Sequence, residues 1–309
     1  MADADDGQQQ PKPHLTVIAG PTASGKSALA MELAEAWDAE LVSADSQQVY
    51  RHFDLGTAKP TDAELRRVPH HLVSVVEPLE PFDAGRFQEL ADAAISDITS
   101  RGKRVIVVGG TGLYLRILLH GVVPAPPSDP DLRARLEAEA EAQGNAALHA
   151  RLAAVDPVSA ARLHPADRQR VVRALELFEQ TGRPQSELFA EHRFADSRYP
   201  FTLWVLEPSR EALYAAINAR AQAMFEGGLV EEVERLVRRG YREAAPMRSV
   251  GYAQALEVLE GRWSREAGLL AMQQATRNYA KRQLTWFRKE PAARFLSPPY
   301  AASLDAWGG

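Results

Sequence analysis

The chain has 309 residues, of which 45% are hydrophobic and 25% charged, as in an ordinary soluble globular protein. Its formal net charge of −5 means that a nucleic-acid partner would need a local basic surface. The absence of cysteine excludes disulfides, thiolate zinc sites and a cysteine nucleophile. Residues 1–13 predict a disordered polar tail without the features of a signal peptide, and we expect a cytoplasmic protein that has no membrane association.

The first predicted element is a buried strand over residues 15–19, followed by a glycine-rich loop and a helix from about residue 28. The loop meets every fixed position of G-x-x-x-x-G-K-[ST], the signature of a phosphate-binding P-loop. Its glycines let the backbone wrap an anion, the lysine adds charge, and the final serine can ligand Mg²⁺. The residues predicted to bind a diphosphate or nucleotide are Gly20, Pro21, Thr22, Ala23, Ser24, Gly25, Lys26 and Ser27.

Two further buried strands are predicted over residues 40–44 and 104–110, with helical patterns after each. This alternation predicts an α/β fold, a P-loop-containing parallel sheet with flanking helices. Ligands of such sheets bind beyond the carboxyl ends of the strands. We therefore expect the P-loop, the segment that begins at Asp45 and the turn that contains Thr111 to surround one crevice.

A change of pattern divides the chain. Prolines over residues 124–127 are followed by helical sequence from 131 to 180, and a strand pattern returns over 201–206. We predict four parts on this basis. They are the disordered tail (1–13), a P-loop α/β core with C-terminal helices (14–123 and 201–290), a helical insertion domain (124–200), and a loose C-terminal tail (291–309).

Asp45 is the acidic residue that follows a predicted strand, whereas the strand over 104–110 ends in glycines without a carboxylate. Kinases and NTPases usually place a Mg²⁺-binding acid after such a later strand. Beside a bound phosphate, Asp45 can serve as a metal ligand or as a proton acceptor. It can also do no more than cap a turn.

Seven segments resemble, in order, the motifs of tRNA dimethylallyltransferases, the isopentenyl-diphosphate:tRNA isopentenyltransferase family. They are residues 20–27, 45–51, 54–60, 109–114, 169–176, 247–252 and 276–288. The resemblance covers the chain from about residue 15 to residue 290. The segments over 45–60 and around residue 281 are together highly specific.

This resemblance implies transfer of a dimethylallyl group from dimethylallyl diphosphate to the exocyclic amine of the adenine 3′ to a tRNA anticodon. The product would be N6-isopentenyladenosine. The P-loop would then hold a diphosphate, with Mg²⁺ on Ser27, rather than ATP. We expect Asp45 to act as the general base, Thr111 to orient the amine and Arg220 to contact the diphosphate. We expect a monomer whose partners are this donor and the anticodon stem-loop.

An adenine stacked in an RNA loop cannot reach the crevice, so it must leave the stack. Helical spacing puts Arg277, Lys281 and Arg288 on one side of a helix, predicted to face phosphates, and aromatic residues on the other, predicted to face the core. The residues predicted to bind tRNA are Asp45, Ser46, Gln47, Gln48, Thr111, Arg133, Gln169, Arg170, Val171, Val172, Arg173, Arg248, Gly251, Tyr252, Lys281, Arg282, Gln283, Trp286 and Arg288.

Three other functions stay open at this point. They are a kinase of a small metabolite, a prenyltransferase of free adenine nucleotides, and a tRNA-binding module without catalysis. The helical insertion and the basic C-terminal helix argue against the first two, because a small acceptor needs neither. The presence of both Asp45 and Lys26 argues against the third.

Overall fold

A computed structural model of the protein describes residues 12–192 and 197–300, and the chain folds into two compact units. The first unit comprises the described residues up to Leu119 and from Arg198 onward. The second comprises the described residues between His120 and Ser197. Nearly all of the predicted tail over 1–13 lies outside the described residues. In the ranges that the structure describes, no helix is both long and apolar enough to cross a membrane.

A six-stranded sheet forms the centre of the first unit. Its strands are β1 (Leu15–Ala19), β2 (Ala39–Ser43), β3 (His70–His71), β4 (Arg104–Gly109), β5 (Phe201–Leu206) and β6 (Ala293–Leu296). Their spatial order is β3-β2-β4-β1-β5-β6, and every ladder is parallel. The predicted α/β class is therefore confirmed. The inner strands are continuous apolar runs because helices cover both faces of the sheet.

Thirteen α-helices occur in the described residues. They are α1 (Lys26–Trp37), α2 (Asp62–Arg67), α3 (Ala84–Ser100), α4 (Gly112–His120), α5 (Pro130–Gln143), α6 (Asn145–Val155), α7 (Pro157–Arg162), α8 (Arg168–Thr181), α9 (Gln185–His192), α10 (Arg210–Glu226), α11 (Leu229–Arg238), α12 (Tyr252–Leu259) and α13 (Arg265–Phe287). The side chain of Ser264 accepts a hydrogen bond from Ala267 N at 3.1 Å and so caps the longest of them, α13. A short 3₁₀ helix, Ala245–Arg248, precedes α12.

The prediction of a loose tail from residue 291 is wrong for β6, which pairs with β5 along one edge of the sheet. The first pair in this ladder is Leu203 with Ala293. Within β6, Arg294 and Phe295 are both exposed, so the strand lacks the alternation of buried and exposed residues that would reveal it. The pairing depends on a partner far away in the chain rather than on local sequence.

Four apolar clusters form the core of the first unit, the smallest of them around Leu213 and Ile217 on α10. One packs α3 and α4 against the sheet, and another packs α1 against it. The third cluster, around Phe53, Tyr252 and Met272, joins the segment after β2 to the helices α10–α13. This third cluster supports the segment after β2, which forms part of the site.

The second unit is built from α5–α9. Its core consists of small and branched aliphatic side chains on α5, α6 and α8, among them Leu136, Leu152 and Leu175. The buried carboxylate of Glu176 joins α8 to the start of α5, since it accepts hydrogen bonds from Ser128 Oγ at 3.0 Å and from Asp129 N at 2.7 Å.

Candidate active site

The loop between β1 and α1 is shaped by two glycines. A Cβ on Gly20 would lie 3.0 Å from the carbonyl oxygen of Leu206, and Gly25 has a φ of +88°, which side chains disfavour. Helix α1 begins at Lys26, so its first N–H groups have no partner inside the helix and are open to an anion at the loop. The hydroxyl of Ser24 is buried without a hydrogen-bond partner among the described residues.

Two cations stand beside this loop. Burial lowers the pKa of the Lys26 ammonium to about 8, the nearby Arg220 charge acts in the same direction, and Asp45 opposes them. Arg220 reaches the loop from α10 and donates to Thr22 Oγ1 at 2.5 Å. Burial also lowers the pKa of Arg220. Burial makes the charged forms of these side chains less stable, so a multivalent anion such as a diphosphate would stabilise them.

Asp45 follows β2 and is half-buried. Its Oδ1 accepts hydrogen bonds from Gln47 N at 2.8 Å and Gln48 N at 3.3 Å, so Asp45 does cap a turn. No described residue forms a hydrogen bond with Oδ2, and Asp45 lines a cavity. One oxygen therefore holds the residue in place while the other is available to a ligand.

Thr111 follows β4 and is bonded to the Asp45 turn. Its N–H donates to Ala44 O at 3.2 Å, and its Oγ1 accepts from Ser46 N at 3.1 Å. The two turns approach so closely that a Cβ on Gly109 would lie 2.2 Å from Ala44 O. The structure thus brings together the segments that follow β1, β2 and β4, beyond the carboxyl ends of these strands, as predicted.

A cavity of about 300 Å³ opens beside these segments, within the size range of ligand pockets. Its polar side includes Thr22, Asp45, Arg220 and Tyr279. Its apolar side is formed by Ala221, Met224, Val250 and Met272. Arg248 and Arg282, both exposed, also line the cavity. The loop after β1, a carboxylate and an apolar wall therefore meet in one space.

Gln283 lies on the side of α13 that was predicted to face the core, but it was also predicted to contact RNA. It is only 7% exposed. Its side-chain oxygen accepts from Thr22 N at 2.8 Å, and its side-chain nitrogen donates to Gly110 O at 2.9 Å. The prediction that its side chain binds tRNA is therefore corrected: the buried amide joins the loop after β1 to the turn after β4. Trp286, one turn further along α13, is half-buried against Gly112.

Tyr252 was also predicted to contact tRNA, but its side chain is 0% exposed. Its hydroxyl accepts from Gly56 N at 3.1 Å and donates to the Glu232 carboxylate. The adjacent Gly251 is buried and adopts a φ of +100°. Because a fully buried phenol cannot touch RNA, the prediction that Tyr252 binds tRNA is corrected. Arg248, which precedes them, is exposed at the cavity.

The remaining predicted RNA contacts of the first unit differ in exposure. Lys281 and Arg282 are exposed on α13, and Arg288, which follows the helix, is exposed and forms an ion pair with Glu207 at 2.6 Å. The side-chain nitrogen of Gln48 donates hydrogen bonds to the backbone carbonyls of residues 57 and 58, so this side chain supports the local fold. Ser46 and Gln47 line the cavity.

In the second unit, only part of the predicted RNA surface faces solvent. Gln169 and Arg170 are exposed on α8, and Arg170 forms a 3.2 Å ion pair with Asp167. Val171 and Val172 are buried in the core of this unit, so the prediction that their side chains bind tRNA is corrected. Arg133 and Arg173 both pair with Glu176, at 2.9 and 2.8 Å.

Two residues of the site were missed by sequence reasoning. Tyr279 lines the cavity from α13, where burial raises the pKa of its phenol to about 12, with the Asp45 charge acting in the same direction. Glu232 lies on α11 and is buried at the back of the segment after β2. Tyr279 belonged to the helix side predicted to face the core, whereas nothing in the sequence distinguished Glu232 from its acidic neighbours.

The chain is similar to known proteins over nearly all of its length. A family model described as IPP transferase matches residues 48–290. A tRNA dimethylallyltransferase of Myxococcus xanthus is 60% identical over 297 residues, 96% of each chain, and one of Geobacter sulfurreducens is 49% identical over 96% of this chain and 94% of the relative.

Solved structures agree with these relatives. A tRNA isopentenylpyrophosphate transferase of Bacillus halodurans matches with a TM-score of 0.69 at 37% identity, over 96% of this chain and 94% of that one. A eukaryotic dimethylallyltransferase described as acting on tRNA matches with a TM-score of 0.80 at 29% identity, over 96% and 76% of the two chains.

Proposed function

Because this chain belongs to the IPP transferase family, we propose that it transfers a dimethylallyl group from dimethylallyl diphosphate to tRNA. The acceptor is the exocyclic amine of the adenine 3′ to the anticodon. The observation that carries this proposal is that Asp45 and Arg220 line one cavity and that the charges of both act on the neighbouring Lys26. A phosphate loop without a neighbouring base would suit a simple binding protein equally well.

The donor ionises as its carbon–oxygen bond breaks, and negative charge grows on the departing diphosphate. In our proposal, the N–H groups of the loop, Lys26 and Arg220 bind that diphosphate and stabilise the growing charge. Arg220 is already oriented by Thr22, so little reorganisation is needed at the moment of reaction. The apolar side of the cavity receives the five-carbon group and excludes water from the allylic cation.

Asp45 supplies the base. An adenine amine is a weak nucleophile because its lone pair is delocalised into the ring, so removal of its proton as the nitrogen–carbon bond forms accelerates the transfer. The amine proton passes to Asp45 Oδ2, and the diphosphate leaves with the electrons of the broken bond. Thr111 keeps a lone pair besides the one that accepts from Ser46 N, and this second lone pair can accept the other amine hydrogen.

In our proposal, the Ser27 hydroxyl would be a ligand of a Mg²⁺ ion whose other ligands come mainly from the diphosphate. This hydroxyl is exposed in the first turn of α1, beside the loop. The described residues contain no group of three His, Cys, Asp or Glu side chains that could hold a metal by themselves. A Mg²⁺ site with one protein ligand and several phosphate oxygens matches this donor set. When bound, the ion would further neutralise the leaving group, and the Ser27 hydroxyl would be the ligand that the chain contributes.

We further propose that the chain acts as a cytoplasmic monomer that grips the anticodon stem-loop. In the first unit, exposed cations lie at the cavity or on α13, among them Arg248 and Lys281, and in the second unit Arg170 is exposed on α8. Such cations suit phosphate contacts. Bases extruded from an RNA loop can then enter the cavity.

The deciding experiment incubates the purified protein and Mg²⁺ with an anticodon stem-loop transcript and radiolabelled dimethylallyl diphosphate. We expect label in the adenine 3′ to the anticodon, identified after nuclease digestion. A transcript with guanine at that position is the matched control and should stay unlabelled. Transfer of phosphate from ATP, with no transfer from the prenyl donor, would refute the proposal.

A further inference from the structure

The segment over residues 53–59 has no part in the mechanism above, although it carries one of the most specific motifs of the chain. It follows β2, and its members Gly56 and Thr57 line the cavity together with Asp45. Three successive backbone N–H groups in this segment, those of residues 54, 55 and 56, converge on one buried pair of side chains. The segment is thus a cavity wall that is held from the protein interior.

The pair that holds the wall consists of Glu232 on α11 and Tyr252 on α12. Glu232 Oε1 accepts from Asp54 N at 3.2 Å, and Oε2 accepts from Leu55 N at 3.0 Å. Tyr252 Oη accepts from Gly56 N at 3.1 Å and donates to Glu232 Oε1. Glu232 is 6% exposed. A buried carboxylate is costly unless its lone pairs are used, and here two backbone N–H groups and a phenol use them.

The wall also fits closely against the tyrosine ring. A Cβ on Gly56 would lie 2.5 Å from Tyr252 Cε2, so only glycine permits this approach. Phe53 packs edge-on against the same ring, with centroids 4.9 Å apart. The position of the wall is therefore defined by contacts with Tyr252 as well as by the hydrogen bonds to Glu232.

Gln48 extends these contacts to the base. Its side-chain nitrogen donates to Thr57 O at 3.2 Å and to Ala58 O at 3.1 Å. Its backbone N–H donates to Asp45 Oδ1 at 3.3 Å. A displacement of the wall would therefore pull on the turn that orients Asp45.

We propose that Glu232 and Tyr252 are positioning residues, which hold the wall over residues 53–59 and, through Gln48, the Asp45 carboxylate in the geometry that transfer requires. This inference rests on the proposed function. Neither side chain lines the cavity beside Asp45. Their loss therefore affects the rate of transfer and leaves the affinity for tRNA largely intact.

The test uses Glu232→Gln and Tyr252→Phe in the full chain. The first places an amide NH₂ against a backbone N–H, and the second removes both hydrogen bonds of the phenol. We expect kcat to fall on the order of 100-fold in each variant, because small misplacements of reacting groups have effects of that size. Glu231→Gln is the matched control and should keep its activity, because Glu231 lies on the same helix as Glu232 but its carboxylate pairs with Arg265 on α13.

Three measurements separate positioning from general damage. Circular dichroism gives the folded fraction, filter binding gives the Kd for tRNA, and hydrogen exchange reports the amides of Leu55 and Gly56. We expect a normal folded fraction, a Kd within about twofold of wild type, and faster exchange at these two amides.

Two results would overturn the inference. One is a kcat within about threefold of wild type in both variants, and the other is a loss of kcat that only follows the folded fraction or the Kd. The wild-type protein is assayed in parallel. If it fails to transfer the prenyl group, the proposed function falls and this role falls with it, whereas an active wild type with unaffected variants refutes this role alone.

Discussion

The side-chain oxygen of Gln283 lies 2.8 Å from the backbone nitrogen of Thr22, so the last long helix is bonded directly to the loop that follows the first strand. The same amide donates to Gly110 O at 2.9 Å. One side chain thereby sets the spacing between the loop that we propose binds the donor and the turn that carries Thr111. A Cβ on Gly110 would lie 2.3 Å from the Gln283 nitrogen, which explains the glycine at that position.

Replacing Gln283 tests this spacing. Gln283→Leu leaves a buried N–H and a buried carbonyl without partners, and each such group costs about 1–3 kcal/mol. We expect a lower free energy of unfolding in urea and a higher KM for the prenyl donor. Gln274→Leu, at an exposed position of the same helix, is the control and should change neither value. An unchanged KM in a destabilised Gln283→Leu protein would show that the spacing does not matter for donor binding.

Asp45→Asn tests the base. Asparagine keeps an oxygen that can accept from Gln47 N and Gln48 N, so the turn survives while the proton acceptor is lost. We expect kcat to fall about 10²–10⁴-fold, the usual contribution of general base catalysis, with little change in the Kd for tRNA. Single-turnover transfer and filter binding measure the two quantities. Asp62→Asn, on the exposed start of α2, serves as control. Near-normal turnover in Asp45→Asn would remove Asp45 from the mechanism.

The donor affinity should depend on pH through Lys26. Its pKa of about 8 means that the ammonium loses its proton as the pH rises through that value. The diphosphate is bound by the charged form, so kcat/KM for the donor should fall above about pH 8, approaching tenfold per pH unit. Lys26→Arg keeps the cation throughout this range and should lack the fall, whatever its absolute activity. An identical fall in that variant would assign the titration to another group.

Two arginines on α8 should respond differently to substitution. Arg170 is exposed with a weak surface ion pair, so Arg170→Gln should leave stability within about 0.5 kcal/mol of wild type. If Arg170 contacts a tRNA phosphate, this variant should also lower the slope of log Kd against log salt by about 0.7–1. Arg173→Gln breaks the bonds to Glu176 and Pro126 O and should lower the melting temperature. An unchanged salt slope in Arg170→Gln would exclude a phosphate contact there.

Acid should destabilise the second unit through Glu176. Burial acts to raise its pKa, but hydrogen bonds from Arg173, Arg133 and Asp129 N outweigh burial and lower the pKa to about 2. The folded state therefore binds this proton less tightly than the unfolded state, whose value is near 4.5. The stabilisation is complete above about pH 4.5 and is lost as the pH falls towards 2. Acid titration of unfolding should show this dependence, and Glu176→Gln should lack it.

Much of the sheet could be predicted from sequence because its inner strands are continuous apolar runs whose ends are marked by the residues beside them. The run over residues 201–206 coincides with β5, and the strand predicted over 40–44 differs from β2 by one residue at each end. The two-residue β3 and the exposed β6 escaped, since neither has a pattern of its own and both depend on a distant partner. A repeating pattern of apolar residues reveals the buried side of a helix or strand, and these two strands have too few buried residues to form such a pattern.

The site was harder to predict for a related reason. The motifs identified Lys26, Asp45 and Thr111, which the structure brings together. Motif membership did not separate residues that face the cavity from residues that hold it, so Gln283 and Tyr252 were both assigned to RNA. Their partners, Thr22 and Gly56, lie more than 190 positions away, and such pairings are set by tertiary packing that no local pattern encodes.

The bond between Gln283 and Thr22 has a consequence for biosynthesis. Translation delivers the loop after β1 and Asp45 early, but the Gln283 amide, which joins that loop to the Thr111 turn, emerges only with α13. A prematurely terminated chain that stops short of α13 carries the signature motif and still lacks the assembled pocket. We therefore expect modification of transfer RNA to begin only after α13 has been synthesised and has packed against these two segments.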